Sequence, residues 1–489
     1  MKNIPLFILA CCANFIAHSQ SITAQLIDKG NGNPIPYATI KTNEHQGVIS
    51  NEEGFFTIHI DESVKTLSIS CLGYKHKTIE TKDLKNTNTI ITLEEALNQL
   101  DEVFISNKTP NARSIIAKAR ENLSKNYTSK LNKYNVFSRM TNYIDFKVLE
   151  FEIEKASHVN NKNIEAANTD LVAMSKKVRE SNMVQFEDFK GELYSLNRDS
   201  SKIKVSKATK LLDHTNDFSL DDIQEKSQKI VLKYLDSSKT YKIKSGLFKL
   251  EDSLDLNDEK LKNLQKKEYQ LNALNTNTRR GLRGAQFYQD AFLNKFLDED
   301  LYQYRIESTT FDNDELTYVI RFIPRKSKAK YTGSLSINHG DFAITKVDYH
   351  YSEGKQGKKI NLKFLLGVKY IHTISSGTIL YNKSSDSLYH PKYIKHNYGN
   401  YFYASRDVKF IENSRDKNKV SFSFTVEGSS RFKQELLITG HEALSEVAFN
   451  AVKQDTAVAY KELKKFDKSI WGKDQILEPS TEIKNFQSE

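Results

Sequence analysis

Gly47-Val48-Ile49-Ser50-Asn51-Glu52-Glu53-Gly54-Phe55-Phe56-Thr57-Ile58 decides how the first part of this chain folds. Val48 and Ile49 are β-formers that lead into a short polar turn. Gly54 can take the positive φ that the turn needs, and Phe55-Phe56-Thr57-Ile58 resumes with β-formers. The stretch therefore reads as two strands joined by a tight turn. Outward from it lie further short strands, Ile22–Ile27, Tyr37–Lys41, Val64–Cys71 and Thr87–Leu93, separated by Gly30, Gly32, Pro34, Pro36, Asp61 and Gly73. Strands this short, punctuated this regularly, predict a small β-sandwich over residues 20–95. Leu26, Ile40, Phe56, Ile58, Leu67, Ile69 and Leu93 are its expected core.

The same residues resemble the carboxypeptidase-regulatory-like domain, a transthyretin-like β-sandwich of Gram-negative envelope proteins. The resemblance is carried by Gln25-Leu26-Ile27-Asp28, Asn33 to Ile40, Ser50 to Phe56, Leu67 to Lys75, Ile91-Thr92-Leu93-Glu94-Glu95 and Leu100 to Ile105. The family usually has Asp where this chain has Asn51, a change that leaves the turn intact. The resemblance implies an accessory module in the envelope, not peptidase chemistry.

The N-terminus points to the same compartment. Lys2, the apolar run Ile4 to Ile16, and Ala17-His18-Ser19 have the layout of a secretory signal peptide cleaved before Gln20. The run is shorter than the roughly 20 apolar residues of a spanning helix. Ile8-Leu9-Ala10-Cys11 offers a second reading, a lipoprotein processing site. Cleavage after Ser19 leaves Cys71 alone of three cysteines, so no intramolecular disulfide can form, and a buried, unreactive thiol is expected. No later segment is apolar enough to span a membrane as a helix. Removing Lys2 takes the formal net charge from +10 to +9. Nucleic acid is a poor partner for an exported protein, so that balance points to anionic lipid, acidic glycan or an envelope protein.

Beyond a linker over residues 96–108, Thr109-Pro110 reads as an N-cap and first helical position, followed by Ala112, Ile115, Ile116, Ala119 and Leu123 on one helical face. Strands return from Tyr134. Residues 160–270 read as an irregular insertion, with helical patterns at Ile223–Leu235 and Asp258–Leu274. From Leu301 a succession of strands follows: Leu301–Thr309, Leu316–Ile323, Tyr331–Ile337, Phe342–Tyr351, Ile360–Ile371, Gly377–Tyr381, Leu388–His396, Arg406–Ile411 and Val420–Val426. The fold expected for residues 109–489 is thus α+β, one large curved antiparallel sheet, half-barrel-like, with the 109–123 helix covering its concave side. The whole chain is mainly β. Pro110 to Tyr127, Tyr318 to Arg325, Tyr331 to Ile344, Phe466 to Trp471 and Ile476 to Pro479 resemble the middle part of larger envelope proteins. In those, a domain of unknown function follows the regulatory-like one.

Catalytic chemistry is hard to find. His59-Ile60-Asp61-Glu62 and His350-Tyr351-Ser352-Glu353 supply half of a zinc-peptidase ligand set, at a frequency expected by chance. No nucleophile elbow, His-Glu-x-x-His helix or phosphate loop is present. Neither catalytic residues, metal ligands nor a cofactor site are therefore assigned. Arg279-Arg280-Gly281-Leu282-Arg283-Gly284 could clamp an anion but reads more simply as a basic surface loop. From Arg321 to Lys369 eleven Lys/Arg face three Asp/Glu, interleaved with Tyr331, Phe342, Tyr349, Tyr351 and Phe364. Arg325, Lys326, Lys328, Lys330, Lys358 and Lys359 are the candidate anion or lipid contacts. The expected function is non-catalytic binding or scaffolding at the periplasmic face of the outer membrane. The alternative is a peptidase or other hydrolase whose site the spacing does not reveal.

Overall fold

The quoted turn folds as read. In the computed structural model, Asn51 Oδ1 accepts from the backbone N–H of Glu53 and Phe55, both at 2.9 Å. Gly54 adopts φ +78°, and a Cβ there would meet Leu26 O at 2.4 Å, so glycine is required. The structure describes residues 20–42, 47–61, 63–84, 89–96, 111–127, 132–157, 159–181, 183–197, 199–211, 235–246, 248–255, 269–287, 290–312 and 315–487. The expected signal peptide, Cys11, the 97–108 linker, Thr109 and Pro110 lie outside them, as does the helical pattern at Ile223 up to residue 234.

Seven strands make the sandwich: β1 (Gln20–Asp28), β2 (Thr39–Lys41), β3 (Gly47–Ile49), β4 (Phe55–Ile60), β5 (Thr66–Ser70), β6 (Lys77–Glu80) and β7 (Thr89–Leu93). They form two sheets, ordered β4-β1-β7 and β3-β2-β5-β6. The strict alternation of β4 turns Phe56, Ile58 and Ile60 inward, where they meet Leu26, Ile40, Leu67, Ile69 and Leu93. Cys71 falls just past β5, half-buried, and burial pushes its thiol up to about 12.

The remaining strands are β8 (Asn132–Ala156), β9 (Met183–Ser195), β10 (Ser201–Leu211), β11 (Thr240–Ser245), β12 (Phe248–Asp255), β13 (Tyr302–Asp312), β14 (Glu315–Pro324), β15 (Tyr331–Asn338), β16 (Ile344–Tyr351), β17 (Lys359–Leu362), β18 (Val368–Lys383), β19 (Tyr389–Glu412), β20 (Lys419–Ala443) and β21 (Lys461–Leu463). They build one open sheet, β13-β14-β15-β16-β18-β19-β20-β8-β9-β10-β21, with β11 pairing with β19, β12 pairing with β11, and β17 beside β18. Within 160–270, expected as an irregular insertion, the described residues include helix α2 (Asn161–Glu180) and strands β9 to β12, so part of this span belongs to the sheet. Leu388–His396 and Arg406–Ile411, read as two strands, are one continuous β19. Ile360–Ile371, read as one strand, is a hairpin with a helical turn at Lys363–Leu366.

Helices α1 (Ala112–Glu121) and α3 (Leu271–Gly284) cover one face of the sheet. Asn111, not Thr109, caps α1, its side chain accepting from Arg113 N. Ile115, Ile116 and Ala119 of α1 join Leu271, Leu274 and Leu282 of α3, Phe296, and sheet residues such as Val136, Ile337, Ile394 and Leu436 in the main core. The cover is thus shared: α1 packs near the β13 edge, and α3 crosses β9, β10, β19 and β20.

The other face is covered too, which the sequence reading did not foresee. Cross-strand neighbours Tyr393, Leu437 and Phe137 project there and meet Ile49 of the sandwich with Trp471, Ile476 and Leu477 of the C-terminal segment. Tyr37 stacks on Tyr393 with ring centroids 4.8 Å apart. Glu52 pairs with Lys395 at 2.8 Å and Lys433 at 3.0 Å. Burial raises the Glu52 carboxyl, but the two ammonium groups outweigh it and hold the group down at about 2. Beneath the joint, Arg139 and Asp188 form a fully buried bidentate pair, with bonds of 2.9 and 2.7 Å.

Candidate functional site

The helix α3 ends at the site. Its sequence Arg279-Arg280-Gly281-Leu282-Arg283-Gly284, expected as a loop, is helical because Leu282 is anchored in the core while the glycines face the sheet. A Cβ at Gly281 would come within 3.1 Å of Gln434 Oε1, and one at Gly284 within 3.1 Å of His396 Nε2. The missing side chains let the helix lie close against β19 and β20, while Arg280 and Arg283 turn toward a cavity. That motif was visible in the sequence, but its two glycines argued against a helix.

The cavity holds about 630 Å³. Arg280 and Arg283 come from α3, Lys295 from the turn Leu293–Leu297, Lys330 from the start of β15 and Lys358 from the loop before β17. Among the described residues, five cations thus face a single lining carboxylate, Asp290. Among the described residues Arg283 has a carboxylate partner, Asp199 at 3.2 Å, whereas Arg280 bonds the neutral Asn277 side chain and Lys330 a backbone carbonyl. Lys295 and Lys358 make no ion pair among the described residues. The walls are aromatic: Phe292, Tyr331, Tyr349, Tyr351 and Tyr398.

Two Tyr–His pairs lie among these rings. Tyr349 Oη is 2.8 Å from His396 Nδ1, and His396 Nε2 is 3.4 Å from Gly281 O. Tyr351 Oη is 3.1 Å from His372 Nδ1, and Tyr331 Oη lies 3.2 Å from Ser375 Oγ. Burial presses His396 down to about 4. Burial first, then the charge of Lys330, lowers His372. Both imidazoles are neutral at pH 7, so the positive field comes from Lys and Arg alone. Burial raises the Tyr349 and Tyr351 phenols, which stay protonated as donors. The arrangement can hold an anion by ammonium and guanidinium groups, fix its orientation with hydroxyls, and stack an apolar or sugar ring on the tyrosines.

Of the six contacts expected from sequence, Lys330 and Lys358 line this cavity. Arg325, Lys326 and Lys328 sit exposed in the turn between β14 and β15, and Lys359 is exposed on β17, so these four do not converge on it. His59 is half-buried on β4, and its expected partner Glu62 lies outside the described residues. His350 is exposed on β16, and Glu353 sits in the turn beyond. Among the described residues one group of metal-type side chains does converge, Asp386, His390 and His441. His390 Nε2 is 3.1 Å from Asp386 Oδ2, and the two imidazoles stack with centroids 3.7 Å apart. Lys41, Lys383 and Lys392 line the small cavity beside them, a field that opposes a cation.

The fold and site define a class, a sandwich module docked on an open antiparallel sheet that carries a basic, aromatic cavity. More particularly, residues 22–105 match the family of the CarboxypepD_reg-like domain. No curated protein matches the chain. Among the solved structures that resemble it, two illustrate how weak the likeness is. MucB in complex with MucA(peri) is 9% identical with TM-score 0.15, covering 65% of this chain and 94% of that one. A protein of unknown function from Bacteroides fragilis, described as membrane-associated, is 8% identical with TM-score 0.13, covering 86% of this chain and 98% of that one. Likeness at this level carries no argument on function. No helix among the described residues is long and apolar enough to cross a membrane.

Proposed function

We propose that this is a non-catalytic binding protein of the cell envelope, working at the periplasmic face of the outer membrane. Its cavity would hold the phosphate- or carboxylate-bearing headgroup of a lipid or of an acidic glycan. One observation carries the reading: Arg280, Arg283, Lys295, Lys330 and Lys358 surround about 630 Å³ of aromatic-walled space with Asp290 as the one lining carboxylate among the described residues. Five cations against so few carboxylates in a partly enclosed site repel one another, and an anionic ligand relieves that repulsion. The signal-peptide pattern of residues 1–19 supports the compartment, and the regulatory-like match over residues 22–105 supports an accessory rather than a catalytic part for the sandwich.

Calorimetric titration with glycerol phosphate, a hexose phosphate and a hexuronic acid, each against its uncharged parent, tests this. The charged member of at least one pair should bind measurably better. Arg280→Ala with Lys330→Ala should weaken that binding about tenfold or more, since each charge-assisted hydrogen bond contributes about 1.5–3 kcal/mol. Equal response to charged and uncharged members, or no effect of the double variant, would remove the cavity from the function.

A further inference from the structure

The segment from Gly354 to Ser385 contains six lysines and no Asp or Glu. Within it, β17, the turn Lys363–Leu366 and the start of β18 form a hairpin at the edge of the large sheet, β18 pairing on its other side with β19. All four β17 residues are exposed. Of the nine exposed large apolar side chains among the described residues, six belong to this region: Ile360, Leu362, Phe364, Leu365, Tyr370 and Ile374. The other three, Ile90, Val172 and Val447, stand on separate elements, as single surface apolar residues commonly do. Phe364 at the tip is 108% exposed and Leu365 74%, so both side chains project largely into solvent.

The tip is held rather than loose. Gly367 closes the turn with φ +61°, its N–H donating to Lys363 O at 3.1 Å, while Ser405 N donates to Gly367 O at 2.8 Å. The register sorts the hairpin into two faces. Ile360 opposite Tyr370 and Leu362 opposite Val368 form an apolar face; Lys359 opposite Ile371 and Asn361 opposite Lys369 form the other. Lys363 lies over the Tyr403 ring at 4.0 Å and Lys369 over the Tyr401 ring at 5.1 Å. Lys359, Lys363 and Lys369 make no ion pair among the described residues. An apolar tip, an apolar face, and a collar of lysines and tyrosines are the parts that suit a bilayer surface. The apolar groups enter the acyl boundary, the rings lie at headgroup depth, and the ammonium groups meet anionic headgroups.

We propose that the β17–β18 hairpin is a membrane anchor, inserting Phe364 and Leu365 into the surface of an anionic lipid bilayer. A protein partner or a second copy of the chain would use the apolar face as well, but six lysines with no Asp or Glu between Gly354 and Ser385 favour an anionic surface, even with Glu427 of β20 beside Tyr401 and Tyr403. The anchor stands independently of the cavity reading, because neither tip residue lines the cavity. If both hold, Lys358, which lines the cavity one residue before β17, places the cavity close to the bilayer surface.

The test is co-sedimentation of the purified chain with vesicles of phosphatidylcholine containing phosphatidylglycerol, compared with phosphatidylcholine alone. Wild type should bind the anionic vesicles preferentially and lose binding as salt is raised. Phe364→Asp with Leu365→Asp should weaken partitioning about tenfold or more at unchanged melting temperature. Lys363→Glu with Lys369→Glu should abolish the preference for anionic vesicles. A Leu365→Trp variant reports insertion directly, because the one native tryptophan, Trp471, is 2% exposed and blind to lipid. Its emission should shift to the blue on binding and be quenched by brominated acyl chains. Equal binding to neutral and anionic vesicles, an unshifted tip tryptophan, or a wild-type dimer that Phe364→Asp dissociates would each overturn the anchor. Arg280→Ala with Lys330→Ala should leave vesicle binding by the tip intact while removing small-anion binding, so the two readings fail separately.

Discussion

Replacing Asn51 with aspartate, the residue usual in the family its domain resembles, should destabilise this protein. Asn51 is 3% exposed and does two things. Its Oδ1 organises the β3–β4 turn, a role aspartate keeps. Its Nδ2 donates to Glu478 O and Pro479 O, both at 3.3 Å, which ties the sandwich to the C-terminal segment. Bonds of that length together contribute about 1–1.5 kcal/mol. In Asn51→Asp an oxygen would face those two carbonyls, and a buried acceptor without a donor costs about 1–3 kcal/mol. The guanidinium of Arg139, which also donates to Glu478 O at 3.3 Å, attracts the new charge and offsets part of this. The expected net loss is about 2–3 kcal/mol. Urea denaturation followed by Trp471 fluorescence measures it, because that ring packs on Phe137 at the same joint, 5.3 Å between centroids. Protonating the new carboxyl restores a donor, so the loss should shrink near pH 4. A variant within about 0.5 kcal/mol of wild type at pH 7 would show that Nδ2 does not hold the joint.

The buried His396 predicts an acid-sensitive fold. Its folded-state pKa of about 4 lies below the ordinary 6.5. Above pH 6.5 it is neutral whether folded or not; as pH falls toward 4 the unfolded chain takes up a proton that the folded one refuses. Stability should decline over that window by up to about 3 kcal/mol, checked by urea midpoints at successive pH values and by an NMR titration of the imidazole. Ile116→Ala should cost about 2–5 kcal/mol, since the side chain is wholly buried between α1 and the sheet; an unchanged urea midpoint would place α1 outside the core.

Much of the sandwich was legible because its turns carry their own chemistry and its strands alternate. Asn51 was legible as a departure, but its meaning was not: the carbonyls it donates to lie more than four hundred positions away. The β17–β18 hairpin was misread because Phe364-Leu365-Leu366 continues an apolar run, and nothing local shows that these side chains face solvent. For the site, charge counting found Lys330 and Lys358, yet it also gathered Arg325, Lys326 and Lys328, which the β14–β15 turn carries elsewhere. Arg280 was flagged by its motif but placed on a loop. Glycine lowers helix propensity locally, whereas here close approach of α3 to His396 and Gln434 decides the matter. Lys295 and Asp290 gave no signal, since only the folded chain brings them to the cavity.

The position of β8 has a consequence for how the chain is made. One edge of this 25-residue strand pairs with β9, which follows soon after it; the other pairs with β20, and Ser157 just past β8 meets Lys419, 262 positions further along the chain. A chain emerging from its N-terminus therefore holds a long strand edge without its partner until β20 has been produced. The bare edge invites pairing with a neighbouring chain, so holdase chaperones and slow concentration-dependent losses should dominate its biogenesis. The sheet cannot assemble in order of synthesis, and the segment from Trp471 to Pro479 that ties it to the sandwich can close only after β20 has been made.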